Sequence, residues 1–311
     1  MGYAHEPFGG ILHTGMHAVI GWLGHRVKRA LRYGWRYWLL GKMGLLPNVS
    51  FQIRHRYENN TMLLPVHRGV VAEPQAERWL DGVLRAAVET SPGVFVDIGA
   101  NVGQTLLKLK SVSPDTPYIG FEPNPLCMTH LRDLIQANGF SNCRVYPVGL
   151  SDSDHVVSLA VGSDTDSGAS MIEGFRGLDA QKDKFPVPVF RGDVLFDSHD
   201  IRQIGVVKID VEGAELEVVR GLESILRAEQ PCVICEILPV YDASTERGHF
   251  RKTRQDELIA VLDRLEFKMA RIMQDGRLET LQALDIHGNL AWSNYLFAPE
   301  QKMDVLLKGI A

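Results

Sequence analysis

The stretch from Val94 to Gln104, V-F-V-D-I-G-A-N-V-G-Q, constrains the fold more than any other part of the chain. Val94, Phe95 and Val96 form the short apolar run of a buried parallel strand, which breaks at Asp97 into small residues. Gly99 and Gly103 permit backbone conformations closed to other residues and let a ligand lie against the main chain, and T-L-L-K-L-K from Thr105 restarts a helical pattern. The expected unit is a strand, a ligand-cradling loop and a helix.

Glycine spacing narrows the ligand. A dinucleotide loop uses G-x-G-x-x-G to hold a pyrophosphate at a helix N-terminus, and Asn101 stands where the second glycine would fall. A carboxylate at the strand tip, Asp97, repels phosphate and suits a cationic ligand such as S-adenosylmethionine, which carries a sulfonium and an ammonium. The next strand, Y-I-G-F at Tyr118–Phe121, ends in Glu122, placed to accept hydrogen bonds from both ribose hydroxyls.

D-I-G-A-N-V-G-Q-T, F-E-P-N-P, N-C-R-V-Y-P-V-G-L-S-D, V-V-K-I-D-V-E-G-A-E-L-E-V-V-R-G and P-C-V-I-C-E-I follow one another in an order that resembles the FkbM family of S-adenosylmethionine-dependent methyltransferases. The resemblance runs closely from Val94 to about Ile237 and implies a Rossmann-like class I methyltransferase fold. That is an α/β architecture with a seven-stranded, mostly parallel sheet and helices on both faces. It further implies cofactor contacts from Asp97, Gly99, Ala100, Asn101, Gly103 and Gln104, from Glu122 and Pro123, and from Asp210. The junction Leu150-Ser151-Asp152 is expected over the adenine ring, with a solvated turn as the plainer reading.

Gly205 to Asp210 reads as the fourth strand, whose tip meets the methyl group in this fold. Alternation puts Lys208 and Asp210 on one face. A lysine in an apolar strand needs acidic partners, and Asp210, Glu212 and Glu236 are available. These four form the expected catalytic set; a purely structural ion pair is the alternative. Glu212 is expected to open the helix that follows, and Glu236 to end the fifth strand. The three acids invite a cation, but the lysine among them argues against a metal. His155 to Val161 and Phe185 to Phe190 suggest an inserted hairpin, with the small-residue run around Gly168-Ala169-Ser170 as a substrate lid or an inert loop. Tyr241 to Lys252 reads as a polar loop; His249 within it is a surface histidine or a base. Phe267 to Met273 and Ala291 to Ala298 read as closing strands.

Two domains are expected, an extension over 1–71 and the methyltransferase domain over 72–311. In the extension, Ile20, Leu23, Val27, Leu31, Trp35 and Trp38 recur at helical spacing beside Arg26, Lys28, Arg29, Arg32 and Arg36. A basic amphipathic helix over 19–39 fits peripheral contact with a membrane, and it equally fits packing on the core or on a second subunit in a homo-oligomer. Leu46-Pro47-Asn48 breaks the helix, and Phe51 to His67 reads as a hairpin turning at Asn59-Asn60. No secretory leader is expected, nor an apolar run long enough to span a bilayer. Cys127, Cys143, Cys232 and Cys235 lack the ligand spacing of a zinc site and fit free thiols in a reducing cytoplasm. A net charge of -5 gives no general attraction to nucleic acid. The expected activity is methylation of a hydroxyl on a small molecule, sugar, polysaccharide, glycolipid or secondary metabolite. A non-catalytic membrane- or partner-binding protein that retains a cofactor-type fold is the alternative.

Overall fold

The computed structural model describes residues 33–161 and 183–310. Most of the expected helix over 19–39 and the run around Gly168-Ala169-Ser170 therefore lie outside the described residues. The chain divides into two compact units between Val71 and Ala72.

In the first unit, helix α1 covers residues 33–42 and precedes a hairpin of β1 (Ser50–Tyr57) and β2 (Asn60–His67). The strands pair antiparallel from Ser50 opposite His67 to Tyr57 opposite Asn60, so the turn is Glu58-Asn59, one residue earlier than expected. Alternation turns Ile53, His55 and Tyr57 inward. Tyr33 and Tyr37 of α1 pack on this face, with the Tyr33 ring 6.1 Å from His55 and the Tyr37 ring 6.5 Å from Phe51. The Tyr37 hydroxyl donates to the Gly69 carbonyl at 2.8 Å. Within the described helix the tyrosine face is buried, and Trp35 of the expected apolar stripe is 68% exposed.

The second unit is a doubly wound α/β domain. Helix α2 (Trp79–Thr90) leads into β3 (Val94–Ile98), α3 (Gln104–Val112), β4 (Tyr118–Phe121), α4 (Pro125–Asn138) and β5 (Cys143–Tyr146). Parallel strands need a crossover, and α3 and α4 supply those between β3, β4 and β5. Helix α4 starts where the sequence allows: Asn124 caps it by accepting from the Leu126 N–H at 3.0 Å, Pro125 fills the first turn, and Gly139 closes it at φ 64°. Three short strands, β6 (Gly149–Ser151), β7 (His155–Val161) and β8 (Asp183–Arg191), form a separate small sheet in which β7 and β8 are the expected hairpin. Then come α5 (Gly192–Ser198), β9 (Ile204–Ile209), α6 (Glu215–Gly221), α7 (Glu223–Glu229), β10 (Cys232–Glu236), α8 (Glu246–Arg264), β11 (Phe267–Ile272), β12 (Leu278–Leu281), β13 (Asn294–Pro299) and α9 (Glu300–Gly309).

The main sheet runs β12-β11-β13-β10-β9-β3-β4-β5. Its five strands from β10 to β5 are mutually parallel, and β13 enters antiparallel between β10 and β11. The expected Rossmann-like α/β architecture is present with eight strands instead of seven. Leu278–Leu281 adds itself to β11 as an edge strand after a turn at Gly276, φ 87°. The expected loop over Tyr241–Lys252 is shorter than the sequence suggested, because α8 begins at Glu246. Thr245 caps it, its hydroxyl accepting from the Gly248 N–H at 3.0 Å, and His249 sits exposed on the helix. A continuous apolar core fills the space between the sheet and its helices, with Val96, Phe121, Val207, Leu222, Val233 and Leu262 among its buried members. No described helix is long and apolar enough to cross a membrane.

Candidate active site

The C-terminal ends of β3, β4, β9 and β10 open onto one cavity of about 250 Å³. This is where an open α/β sheet places ligands, because the loops leaving successive strands diverge there. After β3 the chain turns through Gly99 at φ 85°; a Cβ there would lie 1.9 Å from the Asp210 carbonyl oxygen. The glycine thus lets the β3 loop press against the β9 loop.

Glu122 ties the neighbouring loops together. Its Oε2 accepts from the Asn101 N–H at 2.8 Å and its Oε1 from the Asn124 N–H at 2.7 Å. Burial pushes the carboxyl up to about 7 against the pull of the two backbone donors. Gly99, Ala100, Asn101 and Gln104 line the cavity beside Glu122 and Pro123, and Ile98, Phe121, Leu150, Leu159 and Cys127 give it an apolar wall.

Asp97 is not on that wall. It pairs directly with Lys208 across β3 and β9 and so shares its face of the sheet. The long lysine reaches the cavity, whereas the short aspartate is fully buried behind it and accepts from the Tyr118 hydroxyl at 2.8 Å. Asp97, expected at the ligand, is thus placed behind Lys208 and not among the residues that line the cavity. Burial raises its carboxyl to about 6, with Lys208 opposing.

Gly103, at φ 92°, is also absent from the wall. A Cβ there would come within 2.6 Å of Leu134 and 2.8 Å of Leu131, so this glycine lets α3 pack on α4. Ser151 and Asp152 are likewise off the cavity. The Ser151 carbonyl lies where a Cβ at Gly221 would meet it at 1.9 Å, and Asp152 accepts from Ser153.

Lys208, Asp210, Glu212 and Glu236 all line the cavity. Lys208 Nζ donates to Asp210 Oδ2 at 2.8 Å. Burial disfavours the ammonium, but Asp210, Asp97 and Glu77 outweigh it and hold the lysine above its ordinary range. Glu236 is pushed up to about 9 by burial and by the neighbouring Asp210 and Glu212, while the Ser293 hydroxyl donates to its Oε1 at 2.9 Å. At neutral pH Glu236 is thus held as a neutral carboxylic acid. Oxygen atoms of Asp210, Glu212 and Glu236 lie within 4.8 Å of one another, a spacing that fits a cation, and Lys208 already brings a positive charge to it. Glu212 does not open a helix as expected: it sits in the turn after β9 at φ 54°, and α6 starts at Glu215. The Glu215 carboxylate fixes the turn before α6, accepting from the Gly213 N–H at 2.9 Å.

Sequence reasoning missed Glu77. It stands at φ 50° just before α2 and lines the cavity, with its carboxyl raised by burial. The buried Lys108 of α3 fixes this segment by donating to the Glu77 carbonyl at 3.2 Å and to Asp81 Oδ1 at 3.1 Å. A lysine in the T-L-L-K-L-K helix was the available signal. The four cysteines are free, and Cys232 and Cys235 are buried in β10.

A family model described as the methyltransferase FkbM domain matches residues 97–269. Methyltransferase 1 of Beauveria bassiana (strain ARSEF 2860) is 24% identical over 162 residues, which are 47% of this chain and 65% of that protein. Methyltransferase sdnD of Sordaria araneosa is 28% identical over 155 residues, 42% of this chain and 60% of that protein. The matches thus span less than two thirds of either relative. The crystal structure of methyltransferase FkbM from Methylobacillus flagellatus KT aligns with a TM-score of 0.40 at 16% identity, over 67% of this chain and 44% of that one.

Proposed function

The chain belongs to the FkbM methyltransferase family, whose domain spans more than half of it, and from that membership we propose that it transfers a methyl group from S-adenosylmethionine to a hydroxyl oxygen of a sugar, polysaccharide, glycolipid or secondary metabolite. The cavity chemistry supports the donor. The acidic side chains of Glu77, Glu122, Asp210, Glu212 and Glu236 line the cavity with a single ammonium, so it is rich in oxygen acceptors and favours a ligand that carries positive charge and hydroxyls over one that carries phosphate. The single observation that carries the reading is Glu122, at the tip of β4, with each carboxylate oxygen held by one backbone N–H and a lone pair left on each for a ribose hydroxyl.

When bound, S-adenosylmethionine supplies an electrophilic methyl group on a sulfonium. The chain's own residues then have three tasks. Ile98, Phe121 and Leu150 offer an apolar slot for an aromatic ring. Gly99 to Asn101 keep the main chain close enough for direct contact. At the other acids, Asp210, fixed by Lys208, orients the acceptor hydroxyl, and Glu236 in its deprotonated form takes the proton. Buried thiols and the donor fit work in the cytoplasm.

The test is transfer of tritiated methyl from S-adenosylmethionine to a panel of sugars, lipid-linked glycans and polyols. Label in an ether linkage that survives alkali is expected. Label lost to alkali, label on nitrogen, or binding of the donor with no transfer to any acceptor contradicts the proposal.

A further inference from the structure

Because Tyr33 and Tyr37 turn inward on the hairpin, the opposite side of α1 carries Trp35, Leu39 and Met43 at four-residue steps, exposed by 68%, 39% and 60%. Four-residue steps line up on one helix face, and the Met43 N–H donates to the Leu39 carbonyl at 3.0 Å, so Met43 continues that face past the last helical residue. On a helical wheel Arg36 and Lys42 fall on either flank of the stripe; the Arg36 guanidinium lies 5.7 Å from the Trp35 ring and the Lys42 ammonium 4.4 Å from the Trp38 ring. An apolar ridge with a tryptophan, bordered by cations on long aliphatic stems, matches the boundary between headgroups and acyl chains.

Charge is distributed to match. Residues 1–71 contain nine Lys and Arg against two acids, whereas the remaining 240 residues contain 24 against 36. The excess positive charge of the extension is hidden in the whole-chain value of -5. We propose that the Trp35–Leu39–Met43 face is a docking surface for an anionic lipid bilayer. Leucine and methionine neither stack on bases nor pair with phosphates, which disfavours nucleic acid. The proposal does not depend on the transfer chemistry.

Cosedimentation of the full chain with phosphatidylcholine vesicles, with and without phosphatidylglycerol, tests it. Binding is expected only to the phosphatidylglycerol vesicles, weakening as salt rises. A W35S/L39S/M43S variant is expected to partition at least about tenfold more weakly, since it loses most of its insertable apolar area. R36E/K42E, which leaves the stripe intact, is expected to lose the preference for anionic vesicles. These residues are on the surface, so both variants keep the wild-type melting profile; should the triple variant unfold, R36E/K42E decides alone. Equal partition of variants and wild type overturns the proposal, as does salt-insensitive binding to phosphatidylcholine alone. Self-association in ultracentrifugation that the stripe variant abolishes assigns the face to a second copy and also overturns it. Donor binding measured on the same samples reports separately on the cavity.

Discussion

Replacing Lys208 with methionine tests the electrostatic frame of the site. The Lys208 side chain is 8% exposed, and its ammonium donates to Asp210 at 2.8 Å beside Asp97, which is fully buried. Methionine fills much of the same space but leaves both carboxylates without their cation. Breaking a buried pair costs about 3 to 5 kcal/mol, and the low end applies because Asp210 is a third exposed. The cost depends on pH, and its sign follows from Asp97. In the wild type its carboxyl is already raised to about 6 in the folded state from its ordinary value of 3.8, so stability falls as pH rises through that window. Without the lysine the folded value rises further, so the variant goes on losing stability above pH 6 while the wild type has levelled off. The lysine itself stays charged in both states below about pH 10. The expected loss is about 3 kcal/mol at pH 8 and about 1 kcal/mol at pH 5. For a unit of this size that is a fall in Tm of about 6 to 12 °C at pH 8 and of a few degrees at pH 5. Scanning calorimetry of variant and wild type at the two pH values measures it. An equal fall at both, or a larger one at pH 5, refutes the reasoning.

Three further outcomes follow from the same geometry. With Glu236 at about 9, its proton-accepting form grows tenfold per pH unit below that value, so kcat is expected to climb towards pH 9; Glu236→Gln should lower kcat about 100-fold and flatten the profile, and an unchanged profile rejects Glu236 as the base. Gly103→Ala adds a Cβ at φ 92° against Leu131 and Leu134, and is expected to destabilise by about 2 to 4 kcal/mol in urea unfolding, through packing, with residual folded protein still binding the donor. Acids raised by burial make the ligand-free protein lose stability as pH rises: Glu122 and Glu215, each at about 7 from an ordinary value of 4.5, place that loss between about pH 4.5 and 7 in a Tm-against-pH series, and a rise across that window contradicts it.

Much of this was legible in the sequence because the period of strand and helix is written in the apolar pattern. Glu122 could be found because it ends a strand at a fixed distance from the glycine loop, and Lys208 because a lysine in V-V-K-I-D demands acidic partners. That Asp97 lies buried behind Lys208 is something the pattern cannot reveal. Alternation gives the face of a residue but not whether a short side chain reaches past its longer neighbour. Gly103 looked like a ligand glycine because its need for space comes from Leu131 and Leu134, about thirty residues away. Glu77 carries no local motif and reaches the cavity only through a turn pinned by Lys108. The edge strand L-E-T-L is half exposed, so its apolar signal is weak. In the extension, both Tyr33/Tyr37 and Trp35/Leu39 are helical repeats, and periodicity alone cannot say which one the hairpin covers.

Equilibrium titration of S-adenosylmethionine into the full chain and its Glu122→Ala variant tests the donor site most directly. Saturable one-to-one binding is expected, competed by S-adenosylhomocysteine, with the variant weakened about 30-fold through loss of hydrogen bonds worth about 2 kcal/mol. No binding to the wild type, or equal affinity in a variant that is folded, contradicts the account.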